Sequence, residues 1–212
     1  MAKTVLIVAT LDTKGEEARY LKEIIESKGC KGKVMDVGVL GEPLFAPDIR
    51  REEVAARASR RIEEIVSWQD EEKAMKAMSE GTSELVKELY FRGDLDGIIA
   101  LGGTMGTSVA LPAMKTLPLG IPKLMVSTVA FTPFIRPEFV SQDLIMMQSV
   151  ADMWGLNRIT REVLENAALA IAGAVDKRRA DEKKRPLIGI STLGGAACRY
   201  VFTIKPLLEE KG

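Results

Sequence analysis

The chain has 212 residues, with 30 Lys+Arg balanced by 30 Asp+Glu, 46% hydrophobic content and two cysteines. A chain of this length normally buries roughly 70% of the surface its unfolded form exposes, so its core needs no disulfide or metal staple, and zero net charge offers no long-range field to nucleic acid or an anionic membrane. Histidine is absent, which excludes Ser-His-Asp and Cys-His nucleophiles, a His base and His-ligated zinc, and leaves chemistry to Asp, Glu, Lys, backbone N–H groups or a hard cation.

The N-terminal apolar run stops at LDTKGEE, too short for a membrane span and without a small-residue cleavage signature. Residues 5–10 read as a buried strand. Residues 15–28 follow as a helix, with Ala18, Leu21, Ile24 and Ile25 at helical spacing and Gly29 at the C-terminal cap. A second strand spans 33–39, and Pro43 and Pro47 mark 41–48 as a loop. Charged amphipathic helices follow at 51–68 and 71–91. A third strand at 97–101 enters a glycine-rich turn, a short helix occupies 108–116, and further strands lie at 123–128 and 144–150. From 157 to 176, apolar residues at helical spacing give one long helix with a wide buried face. This alternation predicts a Rossmann-like, doubly wound, mostly parallel α/β sheet with helices on both faces.

The subdomain so defined covers residues 1–178, and a charged linker ending at Pro186 covers 179–186. Residues 187–212 read as the first strand and helix of a truncated second α/β subdomain. Ala18, Leu21, Ile24 and Ile25 align there with Val201, Ile204, Leu207 and Leu208, a pattern open to both internal repetition and chance. Pro206 would remove a hydrogen bond from that helix. Cys30 and Cys198 have no C-x-x-C spacing, which fits a reducing cytoplasm, and Cys198 reads as a buried packing residue.

In a parallel sheet the ligand lies beyond the carboxyl ends of the strands. Three such loops stand out. Asp12, Thr13 and Lys14 open the first helix, where they suit either a bound phosphate or a simple capped start. Gly102, Gly103, Thr104, Met105, Gly106 and Thr107 form a glycine-rich stretch that is neither a dinucleotide fingerprint nor a Walker A loop. Its backbone freedom and hydroxyls suit an anion nest, or a tight strand–helix turn. Ser127 and Thr128 end the fourth strand, before the long irregular loop 129–142 that contains Ser141. Asn157 and Arg158 open the long helix. Asp143 and Asp152 are candidate magnesium ligands, but they flank one strand, so at most one belongs to the site.

The runs TLDTK, GIIALGGTMGT, LPLGIPKLMVSTVA and VADMWGLNRIT resemble the ATP-binding domain family of the plant tobamovirus-resistance protein and its bacterial and archaeal relatives. The resemblance implies a nucleotide held at the strand ends by Asp12, Thr13 and Lys14 and by Thr104, Met105, Gly106 and Thr107, with Arg158 beside a contacting position. Met105 stands where that family usually carries glycine. Its side chain either points away from the ligand or fills part of the ligand's volume, and in the second case Met105→Gly would tighten binding. The leading expectation is a cytoplasmic ATP- and Mg2+-binding domain, a homodimer with no nucleic-acid or membrane partner. Two alternatives are an enzyme acting on a small phosphorylated or acyl metabolite, with an Asp as base, and a dimeric scaffold built on the helices at 50–92.

Overall fold

Period-two alternation sorts the strands onto two faces. In β1 (Thr4–Ala9), Leu6 and Val8 enter one apolar cluster while Val5, Ile7 and Ala9 enter another. The computed structural model describes residues 2–140, 143–176, 188–190 and 195–210. The remaining elements, in chain order, are α1 (Leu11–Ser27), β2 (Lys31–Asp36), α2 (Arg51–Arg57), α3 (Ile62–Ser67), α4 (Glu71–Arg92), β3 (Gly97–Gly102), α5 (Thr104–Lys115), β4 (Lys123–Ser127), β5 (Leu144–Gln148), α6 (Arg158–Asp176) and α7 (Gly195–Glu209).

The five strands are all parallel in the order β2-β1-β3-β4-β5. Helices α2 to α5 cover the face presenting Leu6, Val8, Ile98, Ala100 and Met125, and α1 and α6 cover the face presenting Ile7, Ile99, Leu101, Leu124 and Val126. The molecule is thus a Rossmann-like, doubly wound α/β fold, as the alternation predicts. Burial on both sides explains why the strands read as continuous apolar runs.

Several boundaries differ from the sequence reading. The helix expected over 51–68 is two helices, because Ser59 adopts φ 57° and turns the chain between them. Strand β2 stops at Asp36, whose carboxylate captures the Gly38 N–H and turns the chain out of the sheet. The short helix expected at 108–116 begins at Thr104, so the glycine-rich stretch is the end of β3 and the first turn of α5 rather than an open loop. Helix α1 begins at Leu11, but Lys14 is non-helical at φ −127° and ψ 25°, so the continuous helix starts near Gly15.

The chain divides into compact units at Met1–Lys177 and Arg178–Gly212. In the second unit α7 continues through Pro206, and Cys198, expected to be buried, is exposed. The charged linker and half of the strand expected over 187–192 lie outside the described residues, and 188–190 carry no regular structure. Among the described residues, no helix is long and apolar enough to cross a membrane.

Candidate functional site

With every strand parallel, all carboxyl ends share one edge. Strand order reverses between β1 and β3, and in open α/β sheets the ligand crevice lies at that switch point. Helices α1 and α5 start there. Neither is capped by the residue before it: Thr10 and Gly103 make no capping hydrogen bond. In α5 the first-turn N–H groups of Thr104, Met105 and Gly106 therefore remain available at the positive end of the helix dipole, whereas in α1 Leu11 donates to Asp36 Oδ1 and Thr13 and Lys14 donate to the Thr10 carbonyl oxygen. The approach depends on glycine. A Cβ on Gly102 would lie 2.8 Å from Gly106 Cα, and one on Gly106 would lie 3.2 Å from the Leu101 carbonyl oxygen.

The β1 loop divides its polar groups between structure and exposure. Asp12 Oδ2 accepts the N–H groups of Leu40 and Gly41 at 2.8 and 3.0 Å, stapling the loop after β2 to the start of α1, while Asp12 Oδ1 is buried without a partner. This contact requires glycine at position 38, where a Cβ would lie 2.8 Å from the carboxylate. Thr13 Oγ1 shares a 2.8 Å hydrogen bond with Thr10 Oγ1. Lys14 Nζ lies 5.5 Å from the centre of the exposed Trp154 ring and contacts the Thr13 carbonyl oxygen at 3.4 Å, and it forms no ion pair among the described residues.

The hydroxyls of β4 and α5 are partly consumed. Thr107 Oγ1 and Ser127 Oγ are buried and share a 2.7 Å hydrogen bond, and Ser127 Oγ also accepts the Val129 N–H, so both tie α5 to the end of β4. Thr104 is exposed at the start of α5, and the Thr128 N–H donates to the Gly102 carbonyl. Met105 is part-buried and packs against the cluster under α2 to α5. Asn157 caps α6, its Oδ1 accepting the N–H groups of Ile159 and Thr160, and Arg158 is exposed beside it. Ser141 lies outside the described residues. Asp143 is at the opposite edge, on Lys123 and the Gly120 N–H, and so is no part of this site.

Sequence reasoning missed Asp36 and Glu17, each 1% exposed. Asp36 Oδ1 accepts the N–H groups of Leu11 and Gly38 at 3.0 and 2.9 Å. Burial pushes its carboxyl above the ordinary range, against the pull of those two N–H groups, and the neighbouring Asp12 charge adds to the rise. Glu17 accepts the Gly155 N–H at 2.9 Å and so positions the segment carrying Trp154. Asp36 was findable as the one carboxylate ending the second apolar run. Glu17 carries no such mark.

Fold and edge together define a doubly wound α/β protein whose switch point presents the uncapped N-terminus of α5 and, on the β1 loop, a lysine that forms no ion pair among the described residues. The chain belongs to the UPF0261 family, since residues 3–180 match the domain described as "Uncharacterised protein family (UPF0261) N-terminal domain". It is 42% identical to a UPF0261 protein of Clostridium tetani over 214 residues, covering 100% of this chain and 52% of that one. A UPF0261 protein of Brucella suis is 38% identical over 208 residues, 98% of this chain and 50% of the relative. The tomato (Solanum lycopersicum) ToMV susceptible protein tm-1(GCR26) is 32% identical over 145 residues, 66% of this chain and 19% of the plant protein. The chain spans about half the length of the bacterial relatives it matches.

Proposed function

We propose that the crevice between β1 and β3 binds a nucleotide, ATP with magnesium, through its phosphates. The observation that carries this reading is the uncapped N-terminus of α5 at the switch point together with Lys14 on the β1 loop, a cation that no described carboxylate neutralises. Backbone N–H groups at a helix N-terminus and a nearby ammonium are a recurrent phosphate-binding combination. Thr104, exposed at the start of α5, adds a hydroxyl to the same edge.

Among the described residues, no group of three or more His, Cys, Asp or Glu could hold a metal ion. This donor set suits magnesium carried chiefly by the phosphates and retained water, as that ion commonly is in nucleotide sites. When bound, the ion would offset phosphate charge. Asp12 and Asp36 each hold backbone N–H groups of the fold, Asp12 through Oδ2 and Asp36 through Oδ1.

Thermal unfolding tests the reading. A ligand that binds only the folded state stabilises it by about 2.7 kcal/mol at a hundredfold excess over its dissociation constant. Magnesium-ATP should raise the melting temperature and adenosine should not. An unchanged melting temperature at millimolar magnesium-ATP overturns it.

A further inference from the structure

A cleft of about 250 Å³ opens on the sheet face covered by α2 to α5, beside the first turn of α5. Val39, Leu40, Ile65 and Met105 supply apolar wall, and Asp70 and Glu71 stand at the start of α4. We infer that this cleft is the subsite for the planar heterocyclic base of the nucleotide, an inference that rests on the phosphate reading above.

Continuity is the first argument. Met105 is the second residue of α5, so its backbone N–H belongs to the helix N-terminus at the switch point while its side chain lines the cleft. Leu40, also on the wall, is held by its N–H to Asp12 in the β1 loop. The two sides of the crevice therefore both reach the cleft. Size is the second argument: sites for whole ligands span about 300–1,000 Å³, so this volume suits one moiety of a larger molecule.

Charge decides which moiety. The ionisable groups lining the cleft are both acidic, so a phosphate would be repelled and the occupant must be the uncharged end of the ligand. Wall chemistry narrows it further, because a methionine thioether makes favourable contacts with aromatic rings. Gln69, at the same cleft, holds a left-handed backbone at φ 50°, and its carboxamide can both donate to and accept from a base edge. Leu40 and Val66, which line the cleft at 72% and 48% exposure, would gain apolar cover from a bound ring.

Calorimetric titration with magnesium-ATP and with magnesium-tripolyphosphate, which lacks base and sugar, tests the inference. The parent should bind ATP about tenfold or more tighter than tripolyphosphate, a gap of about 1.4 kcal/mol. The uncharged double variant Leu40→Ser, Val66→Ser, altered at two exposed positions, should lose most of that gap and keep its tripolyphosphate affinity. Equal affinities in the parent would overturn the base subsite and leave the phosphate reading intact. A gap that persists in the double variant would also overturn it, by placing the base elsewhere. If neither compound binds, the nucleotide reading itself fails, and the subsite with it.

Discussion

The two edges of the sheet are built from different chemistry. At the amino edge, side-chain charges close the ends of the strands. Lys3 Nζ donates to Asp96 Oδ1, whose other oxygen accepts the Thr4 N–H. Lys123, with a fully buried side chain, donates to the carbonyls of Pro118 and Ile121 and to Asp143 Oδ1 at 2.9, 3.0 and 2.7 Å. The carboxyl edge instead relies on paired hydroxyls, backbone N–H groups on Asp12 and Asp36, and, at α5, a helix start with no cap. Stability is concentrated where the charges are saturated. The donors left open lie at the carboxyl edge, where the ligand is proposed to bind.

This contrast breaks most readily at Lys123. Lys123→Ala removes one donor of the Asp143 carboxylate, which keeps the Gly120 N–H, and the donor of two carbonyls, and breaking a buried ion pair costs about 3–5 kcal/mol. Urea unfolding should show a loss of that order, and a loss below about 1 kcal/mol would mean that the amino edge is no clamp. At the other edge, Asp12→Ala should cost about 1–2 kcal/mol, since it frees two largely solvated N–H groups. Asp12→Asn keeps the acceptor and should remain close to the parent in the same assay.

A smaller effect separates the edges by pH. Because the Asp36 carboxyl is raised in the folded state, the fold holds more proton than the unfolded chain between the ordinary carboxyl value, about 3.9, and that raised value. Through this window its contribution to stability falls as pH rises. Asp36→Asn, which retains an acceptor for Leu11 and Gly38, should lack this component of the fall. Denaturation midpoints of parent and variant, compared across the acid range, should diverge in the variant's favour as pH increases, and a constant difference would sink the assignment. The smallest stability effect belongs to Lys14→Ala, within about 0.5 kcal/mol of the parent, yet it should weaken magnesium-tripolyphosphate binding measured by calorimetry. Parent-like binding would remove Lys14 from the site.

The alternation of buried strands and amphipathic helices was legible because each element repeats its own period over enough residues. The break at Ser59 was not, since neither glycine nor proline marks it and only tertiary packing sets its left-handed backbone. Lys123 was equally hidden. In the run GIPKLMVS it reads as an ordinary surface lysine, and its acceptors include a carboxylate twenty residues further along the chain. The site was legible as a set of loops rather than as a set of roles. Thr104 and Thr107 look equivalent in sequence, yet one is exposed and the other spends its hydroxyl on Ser127. That distinction depends on which strand lies beside the helix, which no local pattern records.

The Thr4 N–H bond to Asp96 joins residues 92 positions apart, and β3 is one of the two neighbours of β1. The side of β1 away from β2 therefore lacks a partner until the whole excursion through α2, α3 and α4 has closed. Closing so long a connection carries its entropic cost before any pairing energy repays it, which makes docking of β3 a slow event in folding. On the ribosome the β1–α1–β2 unit must wait, with one side of its first strand open, until residue 102 has emerged.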